Sequence, residues 1–203
     1  SNDTKVLGNI SLPFKLDTLG QLFVLNQNAK FVGGKVNTKY HEGSAVALTD
    51  GSLIFTRNNM FNGKTSKSKE GINKLKLFTA SGPNWETITA FPYNNDEYSV
   101  GHPAVNKAGT LLIFSSDMPG GFGGVDLYYS KRSSNTAIWE KPVNMGKLVN
   151  TEGDEMFPSI TRDSILFFAS TGHVGLGGLD IFQVGLKEET AIGTVVNLGA
   201  PIN

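Results

Sequence analysis

The residues of this chain whose chemistry stands out lie just before three short apolar runs. They are His41, Glu42, His102, Asp154 and Glu155. If the three runs form equivalent strands, these side chains ring one mouth of a shared channel. An imidazole beside a carboxylate is suited to acid and base chemistry or to sharing a metal, and His102 with Glu155 is the pair that fits it. The alternative, which we favour, is that each side chain tethers the start of its own strand.

Two aspartates follow glycine-rich stretches, Asp126 after residues 120–124 and Asp180 after residues 175–178. A carboxylate in that position can accept backbone N–H bonds from the glycine turn. The functional alternative is a calcium site in which loop carbonyls and Asp117 supply further oxygen ligands. Asp117 has no acidic counterpart in the second stretch. We therefore favour the structural role and keep Ca²⁺ as the one cofactor to test.

Other catalytic motifs are missing from the sequence. The chain has no cysteine, which excludes disulfides, thiolate metal sites and a cysteine nucleophile. It has no G-x-S-x-G nucleophile elbow. Both glycine stretches lead into predicted strands, whereas a phosphate-binding loop leads into a helix. The sequence therefore predicts no catalytic residues.

The elements that must position these residues recur along the chain. Phe55, Phe114 and Phe168 match at separations of 59 and 54 residues, and residues 196–203 match residues 143–150 at a separation of 53. A period of about 40–55 residues with strand-like content is typical of the four-stranded blades of a β-propeller. The sequence therefore predicts an all-β propeller with antiparallel blades.

We expect three complete blades, spanning residues 40–99, 100–154 and 155–203, the last of which includes the start of the next repeat. Residues 1–39 are expected to be a partial blade or lead-in strands. Propellers avoid exposed blade faces by closing a ring. Either residues 1–39 complete a small ring, or the sequence is a fragment of a larger propeller, which is the interpretation we favour.

Composition narrows the classes of partner. The 203 residues include 18 Lys and Arg and 18 Asp and Glu, so the formal net charge is zero. Nucleic-acid binding favours a basic surplus, so we expect no nucleic-acid partner. No apolar run approaches the roughly 18 residues of a membrane span, so we expect no bilayer crossing. Trp85 and Trp139 are expected to pack between blades, and the lysine-rich loop 63–70 to be solvated.

Three stretches, residues 115–128, 150–158 and 175–182, resemble the PD40 (WD40-like) propeller repeat. They read SSDMPGGFGGVDLY, NTEGDEMFP and GLGGLDIF. The resemblance covers residues 36–203. This part of the chain is similar to the propeller of OmpA-family envelope proteins of Bacteroidetes, including components linked to type IX secretion. The first repeat departs from the pattern because it keeps only Gly71 of the glycine loop, with Asn73 where aspartate is expected.

The resemblance implies a setting in the periplasm, associated with the outer membrane. It also implies association with a peptidoglycan-binding domain elsewhere in the full-length protein. We expect a non-catalytic scaffold that binds an envelope protein or a glycan, because loops held on a rigid scaffold commonly carry binding. The alternatives are a glycan-binding or calcium-dependent carbohydrate-binding module and a propeller hydrolase that uses His102 and Glu155.

Overall fold

The computed structural model describes residues 6–7, 10–11, 15–16, 22–23, 34–39 and 41–203. Near its start, four strands of two residues each form two antiparallel pairs. These are β1 (Val6–Leu7) with β2 (Ile10–Ser11), and β3 (Lys15–Leu16) with β4 (Leu22–Phe23). The expectation that residues 1–39 form a partial blade falls mostly on residues outside the described ranges.

Residues 41–203 fold into three four-stranded antiparallel sheets, which we call blades 1, 2 and 3. Blade 1 contains β5 (Glu42–Ala47), β6 (Leu53–Asn58), β9 (Leu75–Ser81) and β10 (Thr87–Ala90), and a hairpin of β7 (Met60–Phe61) and β8 (Lys64–Thr65) lies between β6 and β9. Blade 2 contains β11 (Val100–Val105), β12 (Leu111–Ser116), β13 (Asp126–Lys131) and β14 (Val143–Asn144). Blade 3 contains β15 (Glu155–Ile160), β16 (Ile165–Ser170), β17 (Asp180–Lys187) and β18 (Thr190–Asn197).

Each blade is a meander in which every strand pairs with the next strand of the same blade. The first strands β5, β11 and β15 form one edge of their sheets, and β11 contacts both of the others. The three blades therefore stack side by side with their first strands along a common axis. This arrangement confirms the prediction of an all-β fold with four-stranded propeller blades.

The cores lie between the blades. Leu112 and Phe114 of β12 belong to the cluster shared with blade 1, whereas Leu111 and Ile113 belong to the cluster shared with blade 3. Successive side chains of a strand point to opposite faces, so β12 contributes to both clusters. All six of its residues are buried. A continuous apolar run is what a strand covered on both faces requires.

A β-bulge interrupts the first strand of every blade. The register shifts by one residue between Gly43 and Ala45 of blade 1, between Gly101 and Ala104 of blade 2, and between Met156 and Ser159 of blade 3. A bulge re-aims the side chain of its extra residue. In blades 2 and 3 the bulge contains His102 and Phe157, both in the left-handed region, with φ of 52° and 54°.

Trp139 packs between two blades, as expected, whereas Trp85 is half-buried on the face of blade 1 that points away from blade 2. Trp139 is buried in the cluster between blades 1 and 2, with the Arg132 guanidinium 4.1 Å from its ring. Trp85 packs on the other face of blade 1 and donates its indole N–H to the Gly51 carbonyl over 2.9 Å. Trp85 ends a 3-10 turn (Pro83–Trp85) that precedes β10. Within the described residues, no helix has the length and hydrophobicity to span a bilayer.

Candidate functional site

Glu155 is fully buried at the start of β15 and accepts three hydrogen bonds within blade 3. The Thr151 backbone N–H and hydroxyl donate over 2.8 and 2.6 Å, and the Ser170 hydroxyl donates over 2.6 Å. Glu42 accepts the same two bonds from Thr38 at the start of β5, over 3.1 and 2.6 Å. Both glutamates therefore hold the entry of their own blade, which is the structural role that we favoured.

His102 lies elsewhere in the repeat. Glu155 pairs with Ser170 in β16, and Val100 pairs with Ser116 in β12, so the blade 2 counterpart of Glu155 is Val100. His102 therefore lies two residues beyond the position of Glu155, the offset that their distances from the matched residues Val105 and Ile160 predict. His102 lies within the bulge of β11, at the position equivalent to that of Phe157 in β15.

The His102 ring stacks on the Phe157 ring across the boundary between blades 2 and 3. Their centroids are 4.1 Å apart and their planes are inclined by 29°. Burial lowers the pKa of His102, so the imidazole is neutral at pH 7. Its buried Nδ1 has no hydrogen-bond partner among the described residues. The structure thus joins His102 to an aromatic side chain and does not join it to a carboxylate.

Asp154 binds the preceding blade. Its carboxylate accepts the Val125 N–H over 2.9 Å, and the Glu155 N–H donates to the Val125 carbonyl over 2.7 Å. At the boundary between blades 1 and 2, the Leu75 N–H donates to the Ser99 hydroxyl over 3.1 Å. Leu75 and Val125 occupy equivalent places in the two blades. Each directly precedes a third-strand residue that pairs with the same position of the second strand. We call this contact the interblade lock, because it ties the third strand of one blade to the entry of the next.

The glycine loop of blade 2 lies directly against the entry of blade 3. The Gly124 N–H donates to the Gly153 carbonyl over 3.0 Å. A Cβ on Gly123 would overlap that carbonyl oxygen and lie 2.6 Å from the Thr151 carbonyl oxygen. These glycines are therefore needed because one backbone approaches another, a use of glycine that sequence spacing does not reveal.

We expect Gly123→Ala to lower the free energy of unfolding by about 2 kcal/mol, because the two backbones must move apart. Gly43→Ala is the matched control, since it has no positive φ and its added Cβ meets nothing within 4 Å. Urea unfolding of both variants measures the difference. Equal stability of the two variants would contradict the close packing of the loop on blade 3.

Asp126 and Asp180 close their own glycine loops. Asp126 accepts the Phe122 and Gly123 N–H groups over 2.6 and 3.1 Å, and the Asn144 amide over 2.7 Å. Asp180 accepts the N–H groups of Leu176 and Gly177 in the same way. These contacts match the structural role that we favoured for both carboxylates.

Asp117 does not join either of them in a cluster. It pairs with the Lys74 ammonium over 2.7 Å and accepts the Ser99 N–H. Among the described residues, no group of three or more His, Asp or Glu side chains has a geometry that suits a metal ion. The calcium site at Asp117, Asp126 and Asp180 stays a prediction, which gains no support from this arrangement.

In blade 1 a lysine replaces the loop aspartate. Lys76 pairs with Arg57 in β6, as Asp126 pairs with Ser116 in β12, so Lys76 and not Asn73 corresponds to Asp126. Lys76 is 2% exposed, and its ammonium group donates to the carbonyls of Asn95 and Tyr98. Asn73 nevertheless keeps a related bond, because its side-chain oxygen accepts the Asn59 N–H over 2.7 Å.

Burial lowers the pKa of Lys76 to about 8, although the charges of Asp96 and Asp117 oppose that shift. In the unfolded chain a lysine keeps its proton to a pH of about 10.4. Between these values the unfolded state binds more protons, so the free energy of unfolding should rise as the pH increases from about 8 to 9.5. Lys76→Met should lose this rise when both proteins are unfolded in urea across that range. A parallel pH dependence of the two proteins would refute the assignment.

An asparagine clamp, which the sequence analysis did not recognise as an element of the repeat, recurs in every blade. The side chain of Asn150 accepts the Leu127 N–H over 2.8 Å and donates to the Leu127 carbonyl over 2.9 Å. Asn94 makes the same pair of bonds to Leu77, and Asn203 makes them to Ile181. The match between residues 143–150 and 196–203 contained two of the three asparagines. Asn94 was not found because the segment around it differs.

A small cavity of about 240 Å³ lies at the opposite ends of the three first strands. It is lined by residues 47–49, 105–107 and 160–162. The five residues singled out for chemistry are not among them. Of those five, His41 is exposed. Glu42 and Glu155 hold the entries of their own blades, and Asp154 binds the preceding blade. Three of the five side chains, those of Glu42, Asp154 and Glu155, are thus engaged as hydrogen-bond acceptors within or between blades.

The chain is similar in structure to a gluconolactonase from Xanthomonas campestris, described as important in glucose secondary metabolic pathways. The superposition has a TM-score of 0.51 with 11% sequence identity, and it covers 92% of this chain and 55% of that one. This chain therefore spans about half the length of that protein. At this identity the likeness shows a β-propeller-like fold and nothing about activity.

No protein-family model matches this sequence. No curated protein matches it by sequence.

Proposed function

We propose that this chain is a non-catalytic β-propeller scaffold of an OmpA-like cell-envelope protein that binds a protein partner. Its setting is the periplasm, in association with the outer membrane. One observation supports the non-catalytic role: the carboxylates suited to acid and base chemistry already accept hydrogen bonds that hold the blades. Glu155, for example, is buried and accepts three hydrogen bonds within its own blade. A carboxylate used in this way is not free to take a substrate proton.

The envelope setting rests on the resemblance of the glycine loops and blade entries to the PD40 repeat of OmpA-family proteins. Contacts of those same residues support the comparison. Asp126 closes its glycine loop, and Asp154 accepts the amide of the residue that ends this loop. The motifs that carry the resemblance are thus the residues that form and join the blades.

The surface that we assign to the partner is the loop between β6 and β9 of blade 1. Residues 59–74 form it, whereas residues 117–125 and 171–179 are the shorter loops of blades 2 and 3. Asp96 holds the loop by accepting the Asn59 amide over 2.7 Å and the Ser66 hydroxyl over 2.6 Å. The Phe61 ring stacks on Phe78, with centroids 5.7 Å apart. These contacts hold the loop against blade 1.

The loop 59–74 exposes the three lysines Lys64, Lys67 and Lys69. These three ammonium groups outnumber the one carboxylate of the loop, Glu70, while Asp96 and Glu97 lie on the segment that holds the loop. Complementary charge directs association and adds specificity. The partner that fits is a protein with an acidic surface, and the interaction should weaken with salt because exposed charges are screened.

We expect the combined variant Lys64→Glu, Lys67→Glu and Lys69→Glu to lose capture of its partner by about tenfold or more, since three charges are reversed. The measurement is affinity capture from envelope extract at low and physiological salt. The matched control reverses three exposed lysines elsewhere, Lys107, Lys141 and Lys187. Capture that is equal for both triple variants, or absent for the unmodified protein, would overturn the proposal.

A further inference from the structure

The position that closes the glycine loops of blades 2 and 3 carries the opposite charge in blade 1. Lys76 occupies in β9 the place that Asp126 occupies in β13 and Asp180 in β17. The two aspartates accept N–H groups of their own glycine loops. An ammonium group has donors only, so Lys76 cannot close a loop in this way. The corresponding loop of blade 1, residues 59–74, is therefore held by different contacts.

Lys76 is directed instead at a turn in the crossing from blade 1 to blade 2. Residues 95–98 form this turn, and an antiparallel bridge between Asn95 and Tyr98 closes it. The Lys76 ammonium donates to the carbonyls of both residues, to that of Tyr98 over 2.8 Å. Burying a charge is costly unless it is hydrogen-bonded, and here the two backbone carbonyls supply the bonds. Lys76 thus fixes the backbone of the turn from the interior.

The exposed side chains of the same turn hold the loop of blade 1. Asp96 accepts the Asn59 amide over 2.7 Å and the Ser66 hydroxyl over 2.6 Å. The neighbouring carboxylate, that of Glu97, accepts the Lys69 N–H over 3.4 Å. All three bonds join the loop to side chains of the turn. The loop therefore keeps its place only while the turn keeps its shape.

The charges of Lys76 and Asp96 favour the same arrangement. The hydrogen bonds from Ser66 and Asn59 lower the pKa of Asp96, and the nearby charge of Lys76 lowers it further. Burial lowers the pKa of Lys76 to about 8, and the charges of Asp96 and Asp117 limit that shift. At pH 7 Lys76 is therefore charged and Asp96 is ionised. Each of the two favours the form in which the other makes its bonds.

We propose that Lys76 is a positioning residue for the partner surface of blade 1. It fixes the turn 95–98, and the turn holds the loop 59–74 in the conformation that binds. That this loop contacts a partner rests on the proposed function, whereas the dependence of the loop on Lys76 does not. The surface accordingly spans blade 1 and the crossing into blade 2, and a buried residue outside the loop determines the conformation of the loop.

The test compares amide hydrogen exchange, followed by NMR, between the unmodified protein and Lys76→Met, which removes the donors of the side chain. The Ser66 N–H is the reporter, because it donates to the Asn59 carbonyl over 3.3 Å and both residues are held by Asp96. It should exchange at least about tenfold faster in the variant. Amides of β16 in blade 3 should keep their rates, since the change is local to the turn and the loop.

Two further variants show whether Lys76 acts through Asp96. Asp96→Ala removes the contact with the loop directly, at an exposed position, and should speed exchange at Ser66 to a similar extent. The double variant Lys76→Met, Asp96→Ala should exchange no faster than the faster single variant, because both changes release the same contact. Gly123→Ala is the matched control, since its strain lies at the boundary between blades 2 and 3 and should leave Ser66 unchanged.

The proposal is overturned if Lys76→Met leaves exchange at Ser66 unchanged. It is also overturned if exchange at Ser66 and in β16 rises by the same factor, because overall stability would then account for the effect, or if the double variant shows the product of the two single effects. Lys76→Gln keeps two N–H donors and should speed exchange at Ser66 by a smaller factor. Should Lys76→Met not fold, an unchanged rate in Lys76→Gln would likewise overturn the proposal. All of these measurements use the protein alone, so they are independent of the capture experiment on the exposed lysines of the loop.

Discussion

Replacing Glu155 by alanine should lower the free energy of unfolding by about 3–4 kcal/mol. The side chain is fully buried and accepts bonds from two groups of Thr151 and from the Ser170 hydroxyl. Its removal leaves buried donors without an acceptor. Each unpaired donor costs about 1–3 kcal/mol, and relaxation of the surrounding structure offsets part of that cost. Small domains are stable by only about 5–15 kcal/mol, so the urea midpoint should fall markedly.

Glu152→Ala is the matched control for this change. Glu152 is exposed in the same segment, and its replacement should alter the free energy of unfolding by less than about 0.5 kcal/mol. Glu42→Ala should give an intermediate loss, because Glu42 has the same role in blade 1 and is partly exposed. If Glu155→Ala proved as stable as Glu152→Ala, the role of Glu155 as the tether of the blade 3 entry would have to be abandoned.

Replacing Asn150 by alanine should cost about 3 kcal/mol. The buried side chain bridges the N–H and carbonyl of Leu127 and also donates to Asn144 over 2.8 Å. Alanine leaves these backbone groups unpaired at the boundary between blades 2 and 3, where water cannot readily replace the amide. The measurement is urea unfolding of the three clamp variants side by side.

The three clamps should rank by burial. Asn94→Ala should cost less than Asn150→Ala because Asn94 is only half-buried, and Asn203→Ala should cost least because its bonds to Ile181 are exposed. The same chemical change at three equivalent positions thus reports how far each blade boundary is covered. A reversed ranking would show that the clamp does not act at the boundaries.

The repeat itself could be predicted from the sequence because strands carry their pattern locally. The phenylalanines Phe55, Phe114 and Phe168 recur because each occupies the same buried place in a second strand. The preceding blade covers Phe114 and Phe168, and Val36 with residues of blade 1 covers Phe55. The strands of blades 1, 2 and 3 accordingly fall within residues 40–99, 100–154 and 155–203. Local pattern therefore predicted the architecture.

The roles of single residues depend on strand register, which spacing alone does not define. Asn73 seemed to replace Asp126 because both follow a glycine loop, but the longer loop of blade 1 shifts the strand that follows. Pairing with Arg57 places Lys76 there instead. In the same way, the pairing of Val100 with Ser116 and of Glu155 with Ser170 places His102 two residues beyond the position of Glu155.

Contacts between blades were the least predictable part. The approach of Gly123 to the entry of blade 3 joins residues about 30 apart in sequence, and nothing in the composition of either segment specifies the partner. The same holds for the bond between Val125 and Asp154. From the sequence, the carboxylate of Asp154 seemed suited to ligand binding. Its role as an acceptor for the preceding blade becomes visible only when two blades are placed side by side.

The measurement that tests the interblade lock most directly is amide hydrogen exchange at Val125, compared between the unmodified protein and the Asp154→Ala variant. The Val125 N–H donates to the Asp154 carboxylate over 2.9 Å across the boundary between blades 2 and 3. We expect it to exchange about as slowly as amides of β12 in the unmodified protein and at least about tenfold faster in the variant. Rapid exchange in both proteins, at the rate of an exposed loop, would contradict the stacked blades on which the account depends.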